Sequence, residues 1–342
     1  MAEETLSVQI PGMDANAQKK SFRAMDAAQI QDSWTFLEAE LEKRDPTLLE
    51  PLTSVTWPRD IVAITGGGMM QYSSNFFVDY GSPGAGTRSI GGDQQTNIPM
   101  IEAKLSKDTY KAYLYQIATA IPIVQQMYMD GVGRSLDQIY DSGIRLDYNK
   151  FIDNMVYFGK PVDGNYGVVN NPNVKTIAPS TVNTHTKWAD KINNGEVDAV
   201  LSDINSMLVQ VWTDSEYDVS AMPNHIGVTP ALFGLLVTSK VSQAGNISVL
   251  EYLKRNNIAS SQGVNLEIVP MRQLVGAGTA SADRAIAYCN DKRFFNFDLL
   301  QPLMRHMTGP DVANARFVSQ YLANMTAPKL LYPTTQVYMD GV

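Results

Sequence analysis

Between Thr53 and Ile64 the chain is β-branched and aromatic (TSVTWPRDIVAIT), which predicts a strand whose Pro58 confines it to a sheet edge or a bulge. From Met70 to Tyr80 apolar and polar residues alternate: Tyr72, Phe76, Val78 and Tyr80 share one face, Gln71, Ser73, Asn75 and Asp79 the other, and Phe77 is out of step. The turn-rich stretch GSPGAGTRSIGGD follows, and extended character returns from Ile98 through Leu105. Together these segments predict a long hairpin with a flexible tip. At about 3.3 Å per residue, a strand from Met70 to Tyr80 reaches roughly 35 Å. A two-stranded hairpin of that length is marginal in water, so it needs another surface to lie on, and a second copy of the chain can supply one.

Helical periodicity is clearest from Ser135 through Phe158, where Leu136, Ile139, Tyr140, Ile144, Tyr148, Phe151, Ile152, Met155 and Val156 recur at three- and four-residue intervals. Ser135 and Gln138 have the spacing of a capping box, and Gly159 supplies a stop. A shorter helix is predicted after Asp32, ending at Pro46, and the first 31 residues read as an arm. The Asn-, Pro- and Thr-rich run from Lys160 to Thr186 marks a crossing into a mixed block. There Glu196–Trp212, Pro230–Ser239 and Ser248–Asn256 are predicted helices, and His225–Thr229 and Asn265–Met271 strands. After Ala282 the chain turns strand-rich again (RAIAYC, RFFNFD, ARFVSQYLANM, TTQVYMDG). The pentapeptide YMDGV occurs at Tyr128 and at Tyr338 without flanking similarity and reads as a coincidence.

Composition narrows the function classes. With 342 residues, 44% of them hydrophobic, the chain can bury a sizeable core, and its length allows roughly two domains. A net charge of −8 lacks the basic signature of a dedicated nucleic-acid binder. Cys289 is the single cysteine, which excludes an intramolecular disulfide and a multi-cysteine metal site. No apolar run approaches the roughly 18 residues of a membrane-spanning helix, and Met1 to Gln31 has no signal-like apolar core, so a cytoplasmic site of synthesis is expected.

Candidate chemistry is sparse. Gly84-Ala85-Gly86 and Gly276-Ala277-Gly278 lack the third glycine of a dinucleotide loop and read as turns. Asp214, Glu216 and Asp218 resemble half a calcium loop, but Val219 stands where glycine is needed. His185, His225 and His306 are isolated in sequence, and Cys289 sits in an alternating strand with Ala285 and Ala287. Lys104, Lys107 and Lys111 interleaved with Tyr110, Tyr113 and Tyr115 mix base and ring as single-strand binders do, although no basic groove is apparent.

The stretches LEAELEKRDPTLLEPLTSVTWPRDI, FFVDYG with IGGDQQTNIP, GRSLDQIYDSGIRLDYNK, GVVNNPNV, SEYDVSAMPNHI, NISVLEYLKRNNIASSQGVNLEIVP and FDLLQPLMRHMTGPDV carry a resemblance covering most of the chain from Asp32 onward. In this order they resemble the major capsid proteins of tailed bacteriophages with the Hong Kong 97-type fold, in a branch formerly described only as a domain of unknown function. The resemblance implies an α+β fold with an N-arm over 1–53 and a first part of the P-domain over 54–164. That part would carry an extended E-loop hairpin over 65–97 and a long spine helix over 135–158. An A-domain would cover 165–282 and the C-terminal part of the P-domain 283–342. Within the E-loop, Tyr72, Phe76, Phe77, Tyr80 and Arg88 would contact a neighbouring subunit.

The implied function is structural: hexamers and pentamers closing an icosahedral head around double-stranded DNA, without catalytic residues, cofactor, metal or membrane contact. Implied partners are the chain itself, a portal, decoration proteins and loosely held DNA, with assembly in the host cytoplasm and residence in the virion. Some relatives weld the shell through an isopeptide bond from an E-loop lysine, but no lysine lies between Gly66 and Met100 here, so a shell without that link is expected. Some carry a long N-terminal scaffolding segment; only about 50 residues precede the first predicted strand, so a separate scaffold protein is expected. Two other readings stay open: an encapsulin-like cellular shell with protein cargo, and an α/β enzyme with a ligand pocket in the 165–282 block.

Overall fold

The structure is a computed structural model that describes residues 51, 55–81, 102–131, 135–241 and 247–342. The predicted helix after Asp32, most of the arm, and the hairpin tip with Arg88 lie outside the described residues. The elements below belong to one unit, Ser54–Val342.

The segment predicted as one strand divides in two. A helical turn, α1 (Trp57–Asp60), has Pro58 in its first turn, where the missing N–H costs nothing, and the strand β1 is limited to Val62–Thr65. The hairpin follows as β2 (Tyr72–Gly81) and β3 (Glu102–Pro122). The return strand runs far beyond the predicted Leu105. Its first half pairs with β2, from Tyr72↔Lys111 to Gly81↔Glu102, and its second half with a later strand. Then come α2 (Ile123–Gly131) and α3 (Leu136–Phe158), a helix of 23 residues and so about 35 Å long.

The ends of α3 show two kinds of satisfaction. At the start, Ser135 makes no side-chain cap, so the expected capping box does not form. Instead Asp137 puts a carboxylate in the first turn, where the helix dipole favours it, and Arg305 holds it at 2.9 and 3.0 Å. At the other end Gly159 turns the chain with φ +63°, its N–H donating to Met155 O. The next three carbonyls are met by the following loop: Val156 O by Val168 N (3.0 Å), Tyr157 O by Val169 N (3.2 Å), and Phe158 O by Asn170 Nδ2 (2.8 Å). All four orphan acceptors of the helix end are thereby paired within the chain.

The α/β block contains β4 (Lys175–Ile177), α4 (Trp188–Asn193), α5 (Val197–Asp214), β5 (His225–Val228), α6 (Pro230–Thr238), α7 (Val249–Arg255), α8 (Ile258–Ser261) and β6 (Glu267–Pro270). The closing strands are β7 (Arg284–Tyr288), β8 (Phe295–Leu299), β9 (Gln301–Asp311), β10 (Arg316–Thr326), β11 (Lys329–Leu330) and β12 (Gln336–Asp340). They distribute among three sheets of order β1-β8-β11, β9-β10-β3-β2 and β4-β12-β7-β5-β6. The 11-residue strand β9, set between two predicted strands, is an addition to the sequence-based expectation.

Two hydrophobic cores flank the five-stranded sheet. Ala285 and Ala287 of β7, with Val337 and Met339 of β12, face a core built on Val200, Ile204, Met207, Leu208 and Val211 of α5. Ile286, Tyr288 and Tyr338 face the other core, built on Tyr148, Ile152, Val156 and Tyr157 of α3. A sheet buried on both faces explains why β7 is apolar throughout, apart from Arg284. Asp203 and Lys191 are both almost fully buried and pair at 2.5 Å, Asp203 also accepting from Trp188 Nε1 at 2.9 Å; this pins α4 onto α5.

A polar cluster joins α1 to both sides. Asp153 of α3 accepts from Thr56 N (3.0 Å), Trp57 N (3.2 Å) and Gln273 Nε2 (2.9 Å). Asp60, fully buried, accepts from Tyr157 Oη and Arg59, whose guanidinium also donates to Pro270 O at 2.9 Å.

Candidate intersubunit surface

The β2–β3 hairpin has two chemically different faces. Ser73 and Phe77 point toward the body of their own subunit. Ser73 Oγ donates to Asp298 of β8, and the Phe77 ring meets Tyr332 edge-on at 6.0 Å between centroids. Phe77, the residue out of step with the alternation, is therefore half-buried against its own chain. On the opposite face Tyr72, Phe76, Val78 and Tyr80 are 61, 70, 48 and 72% exposed. Leu105, the register partner of Val78, extends this row at 73% exposed. Lys107 Nζ lies 5.7 Å from the centroid of Phe76, its register partner. A contiguous row of large apolar side chains on a bare sheet face is the signature of a surface that another molecule covers.

Of the five residues expected to contact a neighbour, Tyr72, Phe76 and Tyr80 share this face, Phe77 lies on the other, and Arg88 lies outside the described residues. Leu105 was missed because it stood in the return run, whose facing depends on cross-strand register. At the hairpin base Met69, Met70, Tyr72, Lys111, Leu114 and Asn324 line a groove of about 370 Å³. A second exposed apolar patch, Val124, Met127 and Tyr128, occupies one face of α2. Its i, i+3, i+4 spacing is a signal the sequence carried.

The lysine–tyrosine stretch does not form a base-stacking platform. Tyr115 is buried and donates to Asp147 at 2.6 Å; burial, followed by that acceptor, pushes its pKa well up. Lys111 and Lys160 both approach Asp163, at 3.7 and 3.5 Å, and both flank the Tyr113 ring. Among the remaining candidates, His306 is exposed on β9 and the others sit in local contacts. His185 pairs with Glu196 at 3.2 Å, and burial lowers the pKa of His225, which packs on Tyr288. Burial pushes the Cys289 thiol up to about 11. Gly276 and Gly278 form a turn closed onto Asp283 and Ala282, and among the described residues no group of three or more His, Cys, Asp or Glu side chains could hold a metal ion.

The described residues thus carry a long hairpin with an exposed apolar face, the helix α3 and an α/β block. The family model described as major capsid protein matches residues 86–342, and the chain belongs to that family. No curated protein sequence matches it. Among solved structures, the capsid of Myoviridae phage XM1 superposes with a TM-score of 0.70 at 14% identity, covering 89% of this chain and 98% of that one. The capsid of the native GTA particle gives 0.59 at 9% identity, covering 93% and 99%. A chain of Microbacterium phage Oxtober96 gives 0.56 at 11% identity, covering 90% and 98%. The fold is accordingly the Hong Kong 97-type capsid fold, and the protein is a major capsid protein, a structural shell subunit.

Proposed function

We propose that this subunit closes into hexamers and pentamers of an icosahedral head around double-stranded DNA, and that the hairpin supplies an intersubunit contact by laying its apolar face on the next copy. The observation that carries this reading is the exposed row Tyr72, Phe76, Val78, Tyr80 and Leu105. Fully burying five such side chains is worth on the order of 7–15 kcal/mol gross. Association itself costs about 4–15 kcal/mol, so a single hairpin contact is near balance. Around a closed ring the same contact repeats within an assembly whose members are already held, and the sum becomes a stable shell.

The same reading divides the chain into an N-arm over 1–53, a P-domain first part over 54–164 with the E-loop at 65–97, an A-domain over 165–282 and a C-terminal P-domain part over 283–342. Its role is structural, not enzymatic. A separate scaffold and a portal are the partners expected of such a head, with decoration proteins as an optional addition, and a net charge of −8 suits a wall that holds DNA loosely. Assembly belongs in the host cytoplasm and the mature protein in the virion.

Negative-stain electron microscopy with size-exclusion light scattering, on the protein expressed alone and with co-expressed neighbours, tests this. Hexamers, pentamers or closed polyhedra are expected, with size control arising only when the scaffold is present. A stable monomer or dimer under every condition overturns the proposal, and particles filled with protein cargo instead of DNA replace the phage head with a cellular shell.

A further inference from the structure

We propose that Asn324, Ser73, Asp298 and Lys329 are positioning residues that latch the base of the hairpin and set the angle at which it leaves the body, and with it the curvature of the shell. This rests on the hairpin being the intersubunit arm.

The covalent entry into the hairpin does not fix its direction. Gly66, Gly67 and Gly68 have φ of +123°, +117° and +72°, and the space around the first and last is open. Such a triplet accepts many exit angles. Non-covalent contacts therefore decide. Gly66 N and Gly68 N donate to Leu299 O (3.2 Å) and Leu300 O (2.9 Å). Asn324 of β10, 4% exposed, reaches across to donate to Gly68 O (3.2 Å) and Met70 O (2.7 Å).

A second tier lies slightly further out. Ser73 Oγ donates to Asp298, which also accepts from Lys329 Nζ at 2.7 Å; Lys329 lies 3.4 Å from Ser73 Oγ. Lys329 Nζ is also 5.7 Å from the ring centroid of Tyr110, the register partner of Ser73, so both strands are gripped at one level. Asp298 is itself held, its N–H donating to Thr326 Oγ1 at 3.0 Å. Phe77 on Tyr332 is the last ring contact or side-chain hydrogen bond to the body along the hairpin, among the described residues.

The outer contacts, through Ser73, Tyr110 and Phe77, use the face opposite the apolar row, so they and the intersubunit contact do not compete, while Asn324 holds the backbone just before the strand begins. The lever is long. From Tyr72 to Gly81, at about 3.3 Å per residue, the strand extends roughly 33 Å, so a change of about 10° at the base moves its end by about 6 Å. That exceeds the reach of a van der Waals contact, about 4 Å. A slack base would let one sequence build shells of several curvatures.

Ser73→Ala is the clean test because it leaves the Asp298–Lys329 pair intact; Asn324→Ala tests the inner tier. In unassembled subunits of either variant, hydrogen–deuterium exchange over 72–81 and 102–111 is expected to rise about fivefold per hydrogen bond lost, with α3 and α5 unchanged. Shells of these variants imaged by cryo-electron microscopy are expected to show a broadened diameter distribution, and Ser73→Thr, which keeps the hydroxyl, to restore it. Unchanged exchange overturns the latch. So does raised exchange with native shell diameters, because a merely structural bond would alter the first readout and not the second. The variant Phe76→Ser/Tyr80→Ser separates the underlying reading: normal shells from it sink the hairpin as intersubunit arm, whereas its failure to assemble beside native-size shells from Ser73→Ala sinks the latch alone.

Discussion

Arg284 and Asp340 tie the last strand of the chain to β7 through a fork, Nε to Oδ1 at 2.6 Å and Nη2 to Oδ2 at 2.9 Å, with both side chains about 10% exposed. Arg284 also donates to Val169 O at 2.6 Å and stacks on the Tyr338 ring, and Thr279 N and Oγ1 each donate to Asp340 at 2.9 Å. Burial alone would raise the Asp340 pKa, but these donors outweigh it and hold the carboxyl below its usual range. A depressed folded pKa means this contribution is present above the unfolded value near pH 4 and is lost as pH falls through the lower folded value. Thermal melts of the isolated subunit from pH 7 to pH 3 are expected to show a drop below about pH 4 that Asp340→Asn makes shallower. At pH 7 the same substitution is expected to cost about 3 kcal/mol, because Arg284 keeps its charge in a site that no longer answers it.

Among the elements, the end of α3 depends most on local backbone geometry. Gly167 passes so close to the last helical turn that an added Cβ would lie 2.1 Å from Tyr157 O, a backbone atom that cannot step aside. Gly167→Ala is therefore expected to remove several kcal/mol of stability, read as loss of soluble folded subunit or a fall in denaturation midpoint, whereas Gly164→Ala, with open space at φ +75°, is expected to cost about 1 kcal/mol. The stretch GVVNN from Gly167 to Asn171 was legible as part of a family resemblance, but not as the cap of a helix ending at Phe158. That role rests on Val168, Val169 and Asn170 folding back over carbonyls twelve residues earlier. Helix α5 was more open to reading, since Val197, Val200, Ile204, Leu208 and Val211 at helical spacing all proved buried. Asp203 between them carried no periodic signal, and its burial is explained by Lys191 and Trp188 arriving from α4 and by Ser180 N donating to it at 2.9 Å.

At the scale of the whole molecule, the apolar row on the hairpin and the latch beneath it assign opposite faces to opposite tasks. Replacing Phe76 and Tyr80 by serine removes on the order of 3–6 kcal/mol of gross burial per contact, enough to weaken each by a hundredfold or more. The expected outcome is a subunit with unchanged melting temperature that elutes unassembled in light scattering, because neither side chain is buried in its own chain. Mature shells boiled in denaturant are expected to run as a single monomer band on gels. The sequence between Gly66 and Met100 has no lysine to form a crosslink there, and a ladder of multimers would overturn this.

The sequence by itself determined the elements whose patterning is local: the alternation that makes Tyr72, Phe76, Val78 and Tyr80 one face, the helix that Gly159 ends, and the α/β block around α5. Side-chain periods of 2 and 3.6 residues are set by backbone geometry and need no partner to be read. Tertiary structure decided what those faces meet. The pentapeptide YMDGV shows the difference most plainly: Tyr128–Gly131 is helical in α2 and Tyr338–Asp340 is a strand in the central sheet. Phe77 turned inward because Tyr332 waits there, and Ser73 became a structural donor because Asp298 and Lys329 lie beneath it. Those partners are more than 200 residues away along the chain, and no local period encodes contacts at that separation. Non-local packing, with the burial energy it brings, selects among the conformations that local propensity leaves open.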